Sequence, residues 1–401
     1  MKQILIWIGA LTVGTVLGLL QIGAVDAAAG AVAAVYIRLF QLLSVPVIVL
    51  AVTTTLAGAG GGGGAGRIFR HAVTYTLLTT FAAAAVGGLL YVLIDPSRVP
   101  MAAGLHPASL TGEPETSFGD YLINVIPNNI VRPLLEGNVL SLLLLAAAVG
   151  IALARMAESD RKKVLMDGLL GLQDLLFALI RALIWTLPVG VVAFAAQLSA
   201  GLSAGVAADS LGRYVCVVLG GNLLQFFVVL PLFLLFRGLN PVHVLGRMMP
   251  AVLMALFTKS SAATLPVTME TAEQRLGVQP KVARFVLPVC TTVNMNGCAA
   301  FILVTSLFVM QQGGVTLTPG TVALWLVISV VSAIGNAGVP MGCYFLTFSL
   351  MTGVGAPVEV LGLILPIYTI IDMVETAVNV WSDSCVCAMT DKDIQKVHIT
   401  Q

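Results

Sequence analysis

The chain has 401 residues, of which 58% are hydrophobic and only 10% charged, against roughly 25% charged in a soluble domain. With a mean hydropathy of +1.00, this excludes a water-soluble globular protein and leaves a polytopic membrane protein. A formal net charge of +1 offers no basic field for nucleic acid. The six cysteines, Cys216, Cys290, Cys298, Cys343, Cys385 and Cys387, lie in apolar segments without C-x-x-C spacing. They are expected to be reduced packing residues, neither a disulfide framework nor a metal site.

In chain order, long apolar runs occur at 4–24, 29–57, 68–94, 120–154, 165–205, 211–236, 281–311 and 357–390. Each is long enough for a hydrocarbon layer of roughly 30 Å, so eight crossings are predicted. The first run, with Lys2 before it and DAAAG behind, imitates a secretory signal. It exceeds an h-region of about 7–15 residues and more spans follow, so a retained helix is expected. The run Gly60–Gly64 before Arg67 suits a flexible connection, and without a following GK[ST] it is no phosphate loop. The 95–119 loop is rich in Pro, Gly, Ser and Thr, with Asp95, Glu113 and Glu115 opposed by Arg98 alone; it is expected to be external and mobile. Lys2, Arg67/Arg70, Arg155 with Arg161–Lys163, Arg237/Arg247, Arg275/Lys281/Arg284 and Lys392/Lys396 fall on alternate loops. The positive-inside rule puts these loops and both termini in the cytoplasm.

Two further apolar stretches break in the middle. The one near 247–270 reads LFTKSSAATLPVTM, interrupted by Lys259, Ser260 and Ser261, and it enters and leaves on the basic side. The other, near 320–352, contains SAIGNAGVPMG, with Gly335, Asn336, Gly338 and Pro340 at its break and both flanks on the opposite side. Non-helical backbone at membrane depth persists only inside protein or against a wet cavity, so two facing re-entrant hairpins imply an enclosed polar site. Between them, Thr291–Gly297 (TTVNMNG) predicts an unwound turn whose carbonyls face a ligand or cation. Plainer readings are a kink at each Gly/Pro break, hydroxyls bonded to their own helix and Asn294 and Asn296 joining helices.

The last apolar run carries Asp372, Glu375, Thr376, Asn379 and Asp383 in IDMVETAVNVWSD. On a helix these five fall within an arc of roughly 100°. Carboxylates at this depth need partners or a wet cavity. The stripe is therefore the first candidate site; a structural ion pair for Asp372 would need Lys259.

TKSSAATLPVTM, LPVCTTVNMNG, GNAGVP and DMVETAVNVWSD, in this order and spacing, resemble the four signature regions of the dicarboxylate/amino acid:cation symporters, the glutamate-transporter family. The resemblance extends along the whole chain, most weakly over 1–245. It implies an all-α membrane protein with eight transmembrane helices and two re-entrant hairpins, assembled as a homotrimer. The implied layout is scaffold helices one and two over 1–66, transport-domain helix three over 67–95, an external loop over 96–119 and scaffold helices four and five over 120–205. The transport-domain core then covers 206–390 and a cytoplasmic tail 391–401. That domain would move as an elevator, with the second hairpin as gate.

By the same resemblance, Asp372 holds a substrate α-ammonium, with Thr376 and Asn379 as further polar contacts. Ser260 and Ser261 receive the α-carboxylate, and Gly338 and Val339 supply gate backbone. Asp383 matches a sodium-binding carboxylate, joined by carbonyls at Cys290, Asn294 and Asn379; Thr292, Met295 and the Ala333–Asn336 turn match a second sodium site. Carbonyl and carboxylate oxygens suit a hard cation, and a zwitterion needs one anionic and one donor-rich end.

Departures from the family pattern point to the substrate. Glu375 stands where acidic-amino-acid carriers have an arginine for the side-chain carboxylate, so attraction becomes repulsion. DxxETAxNxxxD with TxSSAA resembles instead the sodium-coupled serine/threonine symporters. Cys298 replaces a threonine beside the substrate side chain, which fits a smaller or less polar pocket. Asn296 replaces an aspartate that, with Thr79 and Thr80, would complete a third sodium site, so fewer coupled sodium ions are expected. The expected function is sodium-coupled symport of small neutral amino acids, serine or threonine first, in a prokaryotic inner membrane. The partners expected are the substrate and membrane lipid, and the only accessory ions are the sodium ions. The alternative is a carrier of cationic or acidic amino acids or dicarboxylates on the same fold, with Glu375 as a proton carrier. An intramembrane enzyme using Asp372 or Asp383 is disfavoured, since GxSxG and HExxH are absent. A channel fits two closing hairpins poorly.

Overall fold

A computed structural model describes residues 2–58, 66–96, 126–136, 139–201, 204–334, 336 and 341–399. Among them the chain is helical and contains no strand. The helices are α1 (Lys2–Leu19), α2 (Gly23–Gly58), α3 (Gly66–Ile94), the short α4 (Arg132–Glu136), α5 (Val139–Arg155) and α6 (Asp160–Gly201). Next, α7 (Ala204–Leu224) passes through a π-helical turn (Gln225–Val229) into α8 (Leu230–Phe236). Then come α9 (Pro241–Thr258), α10 (Ser261–Thr271), α11 (Pro280–Val293), α12 (Asn296–Gln312), α13 (Pro319–Ala333), α14 (Gly342–Gly353) and α15 (Glu359–Ile399).

Seven helices of the described residues are long and apolar enough to cross a membrane, rather than the eight expected. The 4–24 run divides because Gln21 adopts φ 50° and ends the first helix; its apolar part is the shorter Ile8–Leu19. The 120–154 run yields α4 and α5, with Leu144–Arg155 as a shorter apolar helix. Pro241–Thr258, expected as half of a broken segment, qualifies by length and composition. The Gly60–Gly64 run and residues 97–119 of the expected loop lie outside the described residues. The expected 391–401 tail is continuous with α15 as far as Ile399.

Packing sorts the helices into two groups. In one, α1 lies along α6, and α2 packs on α5 and α6. Gly14 and Gly18 allow this close approach: a Cβ on Gly14 would sit 2.7 Å from Ala195 Cβ, and one on Gly18 would sit 2.8 Å from Ser199 Cβ. This is small-residue packing, which brings apolar helices together by backbone contact. The other group surrounds α12, which is buried around its circumference against α3, α7, α13, α14 and α15. A helix apolar on all sides belongs at the centre of a bundle. The groups meet where the Phe40 ring of α2 packs on Tyr344, Phe345 and Phe348 of α14, with centroids 5.8, 5.7 and 5.2 Å away.

Local chemistry sets the reversals. Asn240 caps α9, its Oδ1 accepting from Val242 N and His243 N, with Pro241 in the first turn. That cap satisfies donors which the helix start leaves free. At the other end Lys259 turns left-handed at φ 54° and Ser260 extends to φ −147°, so α10 folds back against α9.

One polar cluster fastens three elements far from the stripe. Asp393 of α15 is buried and accepts hydrogen bonds from Tyr75 of α3 and from Arg237 beyond α8, with His71 Nδ1 3.5 Å away. Lys392 Nζ donates to Gly238 O at 2.6 Å. Removing one partner of a buried charge pair leaves the other uncompensated, and the partial exposure of Arg237 reduces that cost. Asp393→Asn is expected to destabilise the protein by about 1–3 kcal/mol, read as a lower unfolding temperature in detergent.

Candidate functional site

All five residues of the predicted stripe lie on α15 and are buried. Asp372 Oδ2 accepts a hydrogen bond from Met341 N at 3.2 Å; Met341 is at φ 63°, immediately before α14. Among the described residues Lys259 and Asp372 form no ion pair. Thr376 Oγ1 donates to Asp372 O, 2.7 Å away on the same helix, as the plainer reading of such hydroxyls anticipates. Glu375, only 1% exposed, accepts a long hydrogen bond of 3.3 Å from Tyr368 OH at Oε2, while its Oε1 has no partner.

The α11–α12 helix is unwound where expected. Asn294 and Met295 both leave the helical region, at φ −93°, ψ 68° and φ −103°, ψ 68°. The break turns Gly297 toward the stripe, where its N–H donates to Asn379 Oδ1 at 2.9 Å. A Cβ on Gly297 would lie 2.8 Å from Glu375 Cα and 2.9 Å from Asn222 Oδ1. Only glycine permits α12 to start this close to α15. Asn379 Nδ2 reaches Cys298 Sγ at 3.4 Å.

A second polar layer lies below. Asn294 Nδ2 donates to Asp383 Oδ1 at 2.8 Å and to Ser382 Oγ at 2.9 Å. Asn296 Nδ2 faces three oxygens: Asn294 Oδ1 at 2.9 Å, Thr80 Oγ1 at 3.3 Å and Thr79 Oγ1 at 3.4 Å. Gln225 Nε2, in the π-helical turn, donates to Asn296 Oδ1 at 2.6 Å. Such turns insert an extra residue into a helix and recur at functional sites. The carbonyl of Cys290 accepts the Asn294 N–H at 2.8 Å, and Thr292 Oγ1 donates to Val289 O at 3.1 Å within its own helix.

Ser260 and Ser261 are buried; Ser260 Oγ accepts from Ala263 N at 3.2 Å and so caps α10. Ala333 O accepts the Asn336 N–H at 3.1 Å, and Asn336 Nδ2 approaches Met295 Sδ at 3.8 Å, Cys298 Sγ at 3.0 Å and Cys343 Sγ at 3.1 Å. Gly338 and Val339 lie outside the described residues.

The structure thus brings together Asp372 with Met341, Asn379 with Gly297 and Cys298, Asp383 with Asn294, and Asn336 with Met295. The hydroxyls of Thr292 and Thr376 donate within their own helices. One expectation is overturned: Cys298 and Cys343 are not reduced but joined as a disulfide, with Cα atoms 5.5 Å apart. They are 45 residues apart in sequence and meet only because α12 and α14 pack together, which spacing alone does not reveal. The other four cysteines are free, three of them buried and Cys216 exposed. Tyr368, Asn222, Gln225, Ser382 and Cys343 escaped the sequence reading. Asn222 and Gln225 had a readable signal, two amides in the apolar segment GGNLLQFF.

The sequence matches the model of the sodium:dicarboxylate symporter family over residues 2–393. The chain belongs to that family. It is similar to "Excitatory amino acid transporter 2" of Homo sapiens, 27% identical over 377 residues, covering 80% of this chain and 65% of the relative. It is 29% identical over 354 residues to "Neutral amino acid transporter B(0)" of Oryctolagus cuniculus, again covering 80% and 65%. With "Neutral amino acid transporter A" of Homo sapiens it shares 29% over 360 residues, covering 80% and 67%. The chain therefore spans about two thirds of the length of these relatives. Its membership and its apolar helices mark it as an integral membrane protein.

Proposed function

We propose that this symporter imports small neutral amino acids, serine or threonine first, driven by sodium, and catalyses no chemical reaction. Asp372 takes the substrate ammonium, while the two hairpin tips, with Ser260, Ser261, Gly338 and Val339, take its carboxylate. Thr376 and Asn379 hold the amino-acid backbone, and Cys298 and Glu375 face the side chain. The observation that carries this reading is Glu375, buried with one long hydrogen bond and one partnerless oxygen. An anion there repels a second substrate carboxylate and can accept a hydrogen bond from a hydroxyl. The partnerless oxygen also favours a second reading, a cationic side chain paired with Glu375.

Sodium is cargo in this scheme. Asp383 holds one ion with the carbonyls of Cys290, Asn294 and Asn379; Thr292, Met295, Ala333 and Asn336 serve a second. Around Asn296 the amide nitrogen already faces three oxygens, which supports fewer coupled ions than an aspartate would give. The α1, α2, α5 and α6 group is proposed as the scaffold of a homotrimer. The group around α12, with both hairpins, is proposed as the elevator, in a prokaryotic inner membrane with both termini inside. Serine binding to the purified protein, titrated in sodium and then in choline, is expected to be at least tenfold tighter in sodium. Equal affinities would remove sodium coupling from the account.

A further inference from the structure

We propose that Cys298, Cys343 and Glu375 form a binding site for a thiophilic divalent cation of the zinc class, open when the two sulfurs are reduced and closed when they are joined. One ligand atom from each, the two Sγ atoms and a carboxylate oxygen, lie within 4.8 Å of one another, and all three residues are buried. They come from α12, α14 and α15, elements fixed independently by packing. Glu375 Oε1 is buried without a partner, and so is Asn336 Oδ1, whose amide nitrogen lies 3.0 and 3.1 Å from the two sulfurs. A buried acceptor with no donor is unfavourable, and a cation between the sulfurs and Glu375 satisfies the carboxylate oxygen directly.

The geometry suits a soft ion. Tetrahedral zinc with Zn–S bonds of about 2.3 Å places its sulfurs about 3.8 Å apart, and Cα atoms 5.5 Å apart allow that by side-chain rotation. Thiolates select zinc-class ions over sodium or magnesium. Three protein ligands leave a fourth position for water, or for Asn336 Oδ1 after a half-turn of its amide. Reduction of the disulfide by an added phosphine breaks the S–S bond; water supplies the oxygen of the phosphine oxide, and two thiols form. Each thiol releases its proton to solvent as the ion binds. Cys298 Sγ is also 3.4 Å from Asn379 Nδ2, so an ion here sits beside the proposed substrate contacts and ties the arm after the second tip to the last helix. Inhibition of transport follows, and that part rests on the function proposed above; binding does not.

The test is a cadmium titration of the full-length protein in detergent, reduced and desalted, followed by the ultraviolet thiolate-to-cadmium charge-transfer band. One equivalent is expected to saturate the band, excess magnesium to leave it unchanged, and the unreduced protein to lack it. Cys343→Ser and Cys343→Ala keep the four free cysteines and are expected to lose the band, while Glu375→Gln weakens binding at least tenfold. In reduced proteoliposomes, zinc is expected to inhibit serine uptake by wild type but not by Cys343→Ser. No band in reduced wild type, or an equal band in a Cys343 variant that folds, overturns the site. Undiminished affinity in Glu375→Gln overturns the carboxylate ligand. A protein that binds cadmium as expected but transports no amino acid would refute the transport reading alone.

Discussion

Glu375→Arg is expected to convert a carrier that ignores aspartate into one that binds it, and to weaken serine at least tenfold. Glu375 is 1% exposed, its backbone lies against Gly297 at the start of α12, and Tyr368 donates to its carboxylate. Reversing its charge replaces repulsion of a substrate carboxylate by a planar donor pair suited to it. A hydrogen bond between charged groups contributes about 1.5–3 kcal/mol, roughly one to two decades in affinity. Glu375→Gln separates charge from shape: it should keep serine within a few-fold and gain no aspartate. Competition against labelled serine reads both variants. If Glu375→Arg still ignored aspartate while folding and carrying serine normally, Glu375 would not face the substrate side chain.

Asp372→Asn should abolish transport of any amino acid while sparing the fold. Its Oδ2 accepts from Met341 N at 3.2 Å, so the carboxylate joins α15 to the start of α14. An amide keeps that acceptor but loses the charge that an ammonium needs. Truncating one side of a desolvated charge pair costs about 2–5 kcal/mol, so apparent affinity should fall roughly thirtyfold or more. Binding measured by calorimetry, alongside an unchanged unfolding temperature, separates this from misfolding. Affinity within threefold of wild type would remove Asp372 from the substrate site.

Much of this site was legible because polar residues in an apolar helix carry their own period. Asp372, Glu375, Thr376, Asn379 and Asp383 repeat at helical spacing, which puts all five on one face of a helix whose other faces are largely buried there as well. The break at Asn294–Met295 and the reversal at Lys259–Ser260 were likewise readable, since each places polar residues where a continuous apolar helix would not. What escaped depends on pairs distant in sequence. Cys298 meets Cys343 across a helix packing, and Gln225 reaches Asn296 from another helix altogether. The division of the first run at Gln21 escaped for a different reason. A single left-handed glutamine interrupts the helix without altering the hydropathy around it.

The central claim, a neutral amino-acid pocket set by Glu375 and driven by sodium, is tested most directly by uptake of radiolabelled serine into proteoliposomes under an imposed sodium gradient. Threonine, alanine, aspartate and arginine would be added in turn as competitors. Sodium-driven uptake competed by threonine and alanine but not by aspartate or arginine is the predicted result. Strong competition by aspartate or arginine, or uptake indifferent to the gradient, would contradict it.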